Sequence, residues 1–388
     1  MRILHICLAN FYIDNYGYQE NFLPIYHKKL GYEVSILAST ETYVTHTKLG
    51  YVEPTKYLNS DGIHVTRLPY AKWLLFGFLK RKLRVYNGVA MALDVCGPDI
   101  IFMHDVQTHA VNAIIKYINT SKKNVQLIVD GHADYTNSAR NWVSKNLLHK
   151  VIYRYFAQKL VPYTSVFWGT LPCRIDFMKD VYKIPMEKLA LLVMGLDDTI
   201  LEHLNQCEKR DALRIEYGIK PNELILVTGG KLDRLKNLTS LVKAVVSMNS
   251  SKLRLLIVGE INVEVRVQLE GMLNHPSILY VGWKSGLDLY MHFSIADLAV
   301  FPGKHSVLWE QVVGMGLPAL FKYIDGHKHV DIGGNCIFMQ NVDENNLRNY
   351  ITNFIDNPAR LKEMQLNATS VRKNYFLYSE IAKRSLIK

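Results

Sequence analysis

The stretch Leu224 to Met248, LILVTGGKLDRLKNLTSLVKAVVSM, constrains this chain more than any other. Leu224–Val227 is a short, partly β-branched apolar run and predicts a buried strand. Gly229-Gly230 predicts a tight turn that leaves room for something to approach. Lys231, Arg234 and Lys236 follow, and then Leu238, Leu241, Val242, Val245 and Val246 recur with helical spacing. Asn237 stands at the expected N-cap. A strand, a glycine turn, cations and a helix N-terminus together suit a phosphate, because free N–H groups and the helix dipole favour an anion. The stretch matches neither the P-loop nor the dinucleotide glycine pattern, so by itself it also describes a basic surface loop.

The rest of the composition narrows the setting. A length of 388 residues predicts two domains, each with its own core. Apolar residues at 49% and charged residues at 21% are those of an ordinary globular protein. No apolar run reaches the roughly 18 residues of a membrane span, and the opening MRILHICLAN is one strand long, without the apolar region of a signal peptide. Cys7, Cys96, Cys173, Cys207 and Cys336 are scattered and lack CxxC spacing. This argues against a disulfide framework or structural zinc and for a cytoplasmic protein. A net charge of +11 asks for an anionic partner, whether nucleotide, nucleic acid or lipid surface.

Taken in order, Ile3–Ala9, Glu33–Ala38, Ile63–Leu68, Ile100–Met103, Gln126–Val129 and Ser165–Trp168 read as strands. Helices are expected over 21–30 and 138–160. In an open parallel sheet the carboxyl ends of strands line the ligand crevice. His104, Asp130, His132 and Asp134 fall at such ends and are candidate site residues, with hydrogen-bonded loop bracing as the plainer role for each. A second α/β series follows Gly195, with strands Leu224–Val227, Leu253–Val258, Ile278–Val281 and Leu298–Phe301 and a helix leading to Gly316-Leu317-Pro318. The boundary is expected near 196–205. The domains are then 1–196, 197–368, and a helix over 369–388 that packs back on the first domain.

With these residues in place the chain resembles the retaining, family-4-type glycosyltransferases of the GT-B fold, over nearly its whole length. Gly17-Tyr18-Gln19-Glu20 stands where that family has Gly-Gly-x-Glu after the first strand. Gly230-Lys231-Leu232 and Lys236-Asn237 resemble its donor-phosphate signature. Val281-Gly282-Trp283, Ala296-Asp297-Leu298 and Phe301-Pro302 resemble the segments that follow, and Gly316-Leu317-Pro318 ends the nucleotide-facing helix. The fold implied is α/β, with two Rossmann-like domains facing across a cleft, acceptor in the first and nucleotide sugar in the second. The family's pair of glutamates eight positions apart is incomplete. The second falls on Gln311 by counting from Pro318, or on Glu310 by identity, while Pro302 or Gly303 replaces the first. Lys304 and His305 fill that loop, and Lys231 replaces an arginine, a point charge for a bidentate fork.

The resemblance implies a hexosyltransferase-type enzyme of polysaccharide or lipopolysaccharide assembly. It would move a sugar from a nucleotide diphosphate, UDP favoured over GDP, to a hydroxyl of a saccharide or lipid-linked saccharide, with retention. Lys231, Lys236 and the helix N-terminus would stabilise the leaving diphosphate without a metal or other cofactor. His132 matches the family's cleft histidine and is assigned with the two lysines to catalysis. Gly17, Gly230, Lys231, Lys236, Gly282, Trp283, His305, Glu310 and Gln311 are assigned to the donor, with Glu310 favoured for the ribose. Asp130, Asp134 and His104 are assigned to the acceptor or to supporting roles. A nucleotide-sugar 2-epimerase can use the same fold, but needs acid/base carboxylates. A non-catalytic nucleotide-sugar binder and a nucleic-acid binder are the readings from other classes, and no nucleic acid is expected. Finally, Tyr70–Tyr86 sets Trp73, Phe76 and Phe78 among Lys72, Lys80, Arg81, Lys82 and Arg84. That mixture suits peripheral attachment to an anionic membrane face; its plainer role is core packing with solvated cations.

Overall fold

The computed structural model describes residues 1–43, 49–71, 81–204 and 207–386. They form two compact units, Met1–Val193 with Ile381–Lys388, and Met194–Glu380. Each is a parallel α/β sheet, as the apolar runs of the sequence predict.

The first unit contains β1 (Arg2–Cys7), β2 (Glu33–Ser39), β3 (Glu41–Tyr43), β4 (Leu49–Tyr51), β5 (Lys56–Leu58), β6 (His64–Leu68), β7 (Ile100–His104), β8 (Gln126–Gly131), β9 (Thr164–Gly169) and β10 (Leu189–Leu191). Its main sheet has the order β10-β9-β8-β7-β1-β2-β6-β5, and β3 and β4 pair separately. Ile3 stands opposite Val34 on one side and Ile100 on the other. All neighbours in the main sheet are parallel except β5. Such strands are covered on both faces, which is why β1 and β7 read as mainly apolar runs, with His5 inside the first and His104 ending the second, and are buried almost throughout. Strand order reverses at β1 and β7, so their carboxyl ends open the crevice where α/β sheets hold ligands.

The second unit contains β11 (Leu224–Leu232), β12 (Leu253–Ile261), β13 (Ile278–Gly282), β14 (Leu298–Phe301), β15 (Ala319–Lys322) and β16 (Cys336–Met339). The order is β13-β12-β11-β14-β15-β16, all parallel, with the reversal at β11 and β14. Leu226, Ile257, Leu298 and Leu320 build its core with Leu238, Leu241, Val242 and Val245 of the following helix.

Several expectations need correction. Gly229-Gly230 is not a turn: β11 continues through both glycines to Leu232, paired with β12 in one register. The glycines serve close strand approach, since a Cβ on Gly229 would lie 2.3 Å from the Val258 carbonyl oxygen. The chain turns later, at a 3-10 turn over Arg234–Lys236, where the Asp233 carboxylate accepts from Leu235 N. Asn237 adopts φ 55° because it ends that turn, and its side chain takes the Ser240 hydroxyl and the Val342 carbonyl instead of capping backbone. The helix expected over 138–160 starts only at 142, runs as a π-helix over Ser144–Tyr153 and continues as an α-helix over Arg154–Leu160. The helix expected from 369 begins at Tyr378, because Leu196 and Leu377 bridge and hold 377 to the second unit. Only residues from 381 onward join the first unit, and the division after the first domain falls at 193. Of the aromatic-basic stretch, 72–80 lie outside the described residues. No described helix is long and apolar enough to cross a membrane.

Candidate functional site

In the second unit the sheet reversal brings the end of β11 beside the loop after β14. Gly303 lies directly on the 3-10 turn, where a Cβ would come within 2.3 Å of Lys236 Cα and carbonyl carbon. Lys304 N donates to Leu235 O at 2.8 Å, and Lys236 Nζ donates to the carbonyls of Lys304 (2.8 Å) and His305 (3.2 Å). Burial and the nearby Lys304 charge outweigh Asp233 and push the Lys236 ammonium down to about 8. Lys236 is therefore a staple between two loops. Lys231 and Lys304 are exposed and make no side-chain hydrogen bond or ion pair among the described residues. Lys231 at the end of β11 and Lys304 in the loop after β14 thus present two exposed cations at the end of the sheet where ligands bind.

Helix α1 (Leu308–Met315) follows this loop. Glu310, expected to meet a ribose, is fully buried. Its Oε1 accepts from His305 Nε2 and from His329 Nε2, each at 2.8 Å, and its Oε2 lies 3.1 Å from His305 Nε2. Burial opposes the charge, yet the two imidazoles hold the carboxyl down at about 2. In this structure Glu310 organises two histidines and exposes no face to a sugar. Gln311 is also buried, beside Tyr290. The first family glutamate is excluded at 303 by the contact with Lys236. Trp283 is 55% exposed after β13, and Gly282 takes φ 73° with open space around it.

In the first unit the carboxyl ends of β1, β7 and β8 hold a continuous buried chain. His27 Nδ1 lies 3.0 Å from His5 Nε2, and His5 Nδ1 3.0 Å from His104 Nε2. His104 Nδ1 lies 2.8 Å from Asp130 Oδ2, and Asp130 Oδ1 lies 3.2 Å from His132 Nε2. At the other end, His27 Nε2 lies 2.8 Å from Ser385 Oγ. Burial holds His5 and His27 neutral, His27 down at about 3. A carboxylate only accepts, so His104 donates its Nδ1–H to Asp130 Oδ2, while the Ser385 hydroxyl donates to the Ala382 carbonyl at 2.8 Å. Burial opposes charge on Asp130, but His104 and His132 keep its carboxyl well below the usual range. Burial likewise opposes charge on His132, and Asp130 with Glu20, whose Oε1 is 4.0 Å away, push it up to about 9.

His104 and Asp130 are thus buried supports, and contact with an acceptor is not available to them. Asp134 braces its own loop, accepting from Thr136 N and Oγ1 and Asn137 N, with Arg174 at 3.3 Å. Gly17 has an ordinary φ, and a Cβ there meets only Phe22 at 3.6 Å, so neither backbone nor space demands glycine. Sequence reasoning missed His329, Glu20, His5 and His27 as site builders. The pair His327-Lys328-His329 after a strand was the available signal for the first. Among the described residues, two groups have ligand atoms all within 4.8 Å of one another and the donor types for a metal ion: Glu20, His104 and His132, and His305, Glu310 and His329.

No family model matches the sequence, and no curated protein matches it either. Solved structures do. A glycosyltransferase from Rickettsia africae superposes at TM-score 0.69, 15% identical, over 99% of this chain and 96% of that one. HepE of Anabaena, in complex with UDP, gives 0.68 at 14% identity over 99% and 98%. The UDP-GlcNAc 2-epimerase of Neisseria meningitidis, bound to UDP-GlcNAc, gives 0.62 at 11% over 100% of both chains.

Proposed function

We propose that this protein, which has the two-domain α/β fold of GT-B glycosyltransferases, moves a sugar from UDP to an acceptor hydroxyl with retention. The observation that carries the reading is the pair of stapled loops at the reversal of the second sheet. Lys231 and Lys304 there offer charge to a diphosphate, while Lys236 fixes the loop geometry. In this reading Lys231 contacts the diphosphate and stabilises the negative charge that grows as the glycosidic bond breaks. Lys236 acts by holding Lys304 and His305 in place. Trp283 offers an exposed ring on which the base can stack, and Glu310 orients His305 toward the donor. His132, charged through Asp130 and Glu20, donates to a hydroxyl of the sugar. The acceptor is a saccharide or lipid-linked saccharide, and surface polysaccharide assembly is the process it fits.

One observation favours a second reading. Glu20 flanks His132, which supplies an acid/base carboxylate of the kind a UDP-GlcNAc 2-epimerase needs, with Asp130 behind it. Incubating the protein with UDP-GlcNAc and no acceptor, with proton NMR of the products, separates the two. Appearance of the 2-epimer overturns the transferase reading. Binding of UDP by thermal shift without epimer supports it, and a ligand at 100 times its Kd adds about 2.7 kcal/mol of stability. No shift with UDP, GDP or their sugars overturns both.

A further inference from the structure

The first unit holds a cavity of about 550 Å³ that the reading above does not use. It lies within the usual size for small-molecule sites. Its charged lining is Arg81, Lys82 and Arg84 against Glu41 alone, a balance of +2. Glu41 is already engaged, accepting from Tyr51 Oη at 3.2 Å and Tyr70 Oη at 2.9 Å. Arg84 takes φ 48°, a left-handed conformation that costs a branched or long residue free energy. That conformation is held by Thr108, whose hydroxyl donates to Arg84 O at 2.9 Å. The guanidinium makes no hydrogen bond or ion pair among the described residues. The nearby Asp105 carboxylate feels the Arg84 charge but is held on its own segment, accepting from Val106 N and Gln107 Nε2.

The opposite wall is the π-helix. Its i→i+5 bonding widens the turn, so Ser144, Leu148, His149 and Tyr153, four to five residues apart, all face the cavity. An α-helix would carry the last of them round to another face. Burial, then the Arg84 charge, pushes His149 down to about 4, so it lines the wall as a neutral imidazole beside Ser138 and Tyr182. Two departures from ordinary backbone, a π-helix and a left-handed arginine, meet at one cavity, and such departures gather at functional sites.

We propose that this cavity binds the phosphate or diphosphate group of the acceptor, with Arg84 as its principal contact. The word acceptor rests on the transferase reading; the anion site itself does not. A balance of +2 matches a phosphate monoester, at −1.5 to −2 near pH 7, better than the single charge of a carboxylate. The arginine fork adds bidentate geometry. The phosphate belongs either to a soluble phosphosugar or to a lipid carrier, and the test separates them.

Inorganic pyrophosphate is titrated calorimetrically into the full chain saturated with UDP, which occupies the site at Lys231. One further site is expected. Arg84→Gly, which suits the positive φ and so preserves the fold, should weaken it at least tenfold, and Arg84→Lys should recover part of the loss. Lys231→Ala should leave it unchanged. Phosphatidylglycerol vesicles at low salt that sediment the protein, and lose it to pyrophosphate, assign the phosphate to a lipid. Pyrophosphate binding that vesicles do not disturb assigns it to a soluble acceptor. No pyrophosphate binding, or unchanged affinity in a folded Arg84→Gly protein, overturns the proposal. If UDP does not bind, the donor reading fails separately, and the same titration without UDP still tests Arg84.

Discussion

Replacing Glu310 with Gln keeps the shape of a fully buried side chain and removes its charge. Its carboxylate serves two imidazoles through contacts of 2.8, 3.1 and 2.8 Å. The amide retains one acceptor oxygen and turns an NH2 group toward a histidine N–H. The carboxyl stands at about 2 in the folded protein against an ordinary 4.5. At about 1.36 kcal/mol per pH unit this is worth about 3 kcal/mol near neutrality. Losing one or two hydrogen bonds to a charged group, at about 1.5–3 kcal/mol each, gives the same order. The folded value is depressed, so this stability is present above pH 4.5 and is lost as pH falls through 4.5 toward 2. Urea unfolding of wild type and Glu310→Gln should differ by about 3 kcal/mol at pH 7 and by roughly half of that or less at pH 3. A gap under about 1 kcal/mol at pH 7, or one that does not shrink by pH 3, refutes the reasoning.

Lys231→Ala should weaken UDP at least tenfold, a loss of about 1.5–3 kcal/mol, measured by calorimetry; unchanged affinity removes Lys231 from the donor site. Lys236→Ala should do the same by releasing the loop at Lys304 and His305, and should also lower the melting temperature, which Lys231→Ala should not. Turnover should survive EDTA, because protein cations serve the leaving group; activity abolished by chelator and restored by magnesium or manganese shows otherwise. His132 should remain charged through pH 8 and lose its charge as pH rises through about 9, which histidine NMR shifts report. Its raised value means that its stabilising contribution is full below 6.5 and is lost as pH passes 9. In Asp130→Asn the His132 transition should move down by at least one pH unit, and no movement refutes the electrostatic account.

The strands were legible because parallel strands buried on both faces are short apolar runs, and Ile100–His104 and Leu298–Phe301 lie where the runs place them. The turn chemistry was less so. Gly229 looks like a turn residue in one dimension, while its real constraint is the Val258 carbonyl of a neighbouring strand. Glu310 stood out by identity, but His329, nineteen positions on, decides what its carboxylate does. The histidine chain was invisible for the same reason: His104 stood out at a strand end, but His5 and His27 read as isolated polar residues until the fold stacks them. The π-helix carries no pattern that separates it from an α-helix over 144–153.

The anchoring of Ser385 bears on the order in which the protein is made. Ser385 O accepts from Trp168 Nε1 at 3.0 Å, Ser385 Oγ closes the histidine chain, and Ile381 and Ala382 are fully buried in the first unit. These residues leave the ribosome only after the whole of Met194–Glu380. During synthesis the first unit therefore waits, with Trp168 and His27 lacking their partners, while the second unit emerges and folds. Expression of 1–193 alone carries that same deficit permanently, and supplying 381–386 in trans or through a short linker is the way to make an isolated first unit.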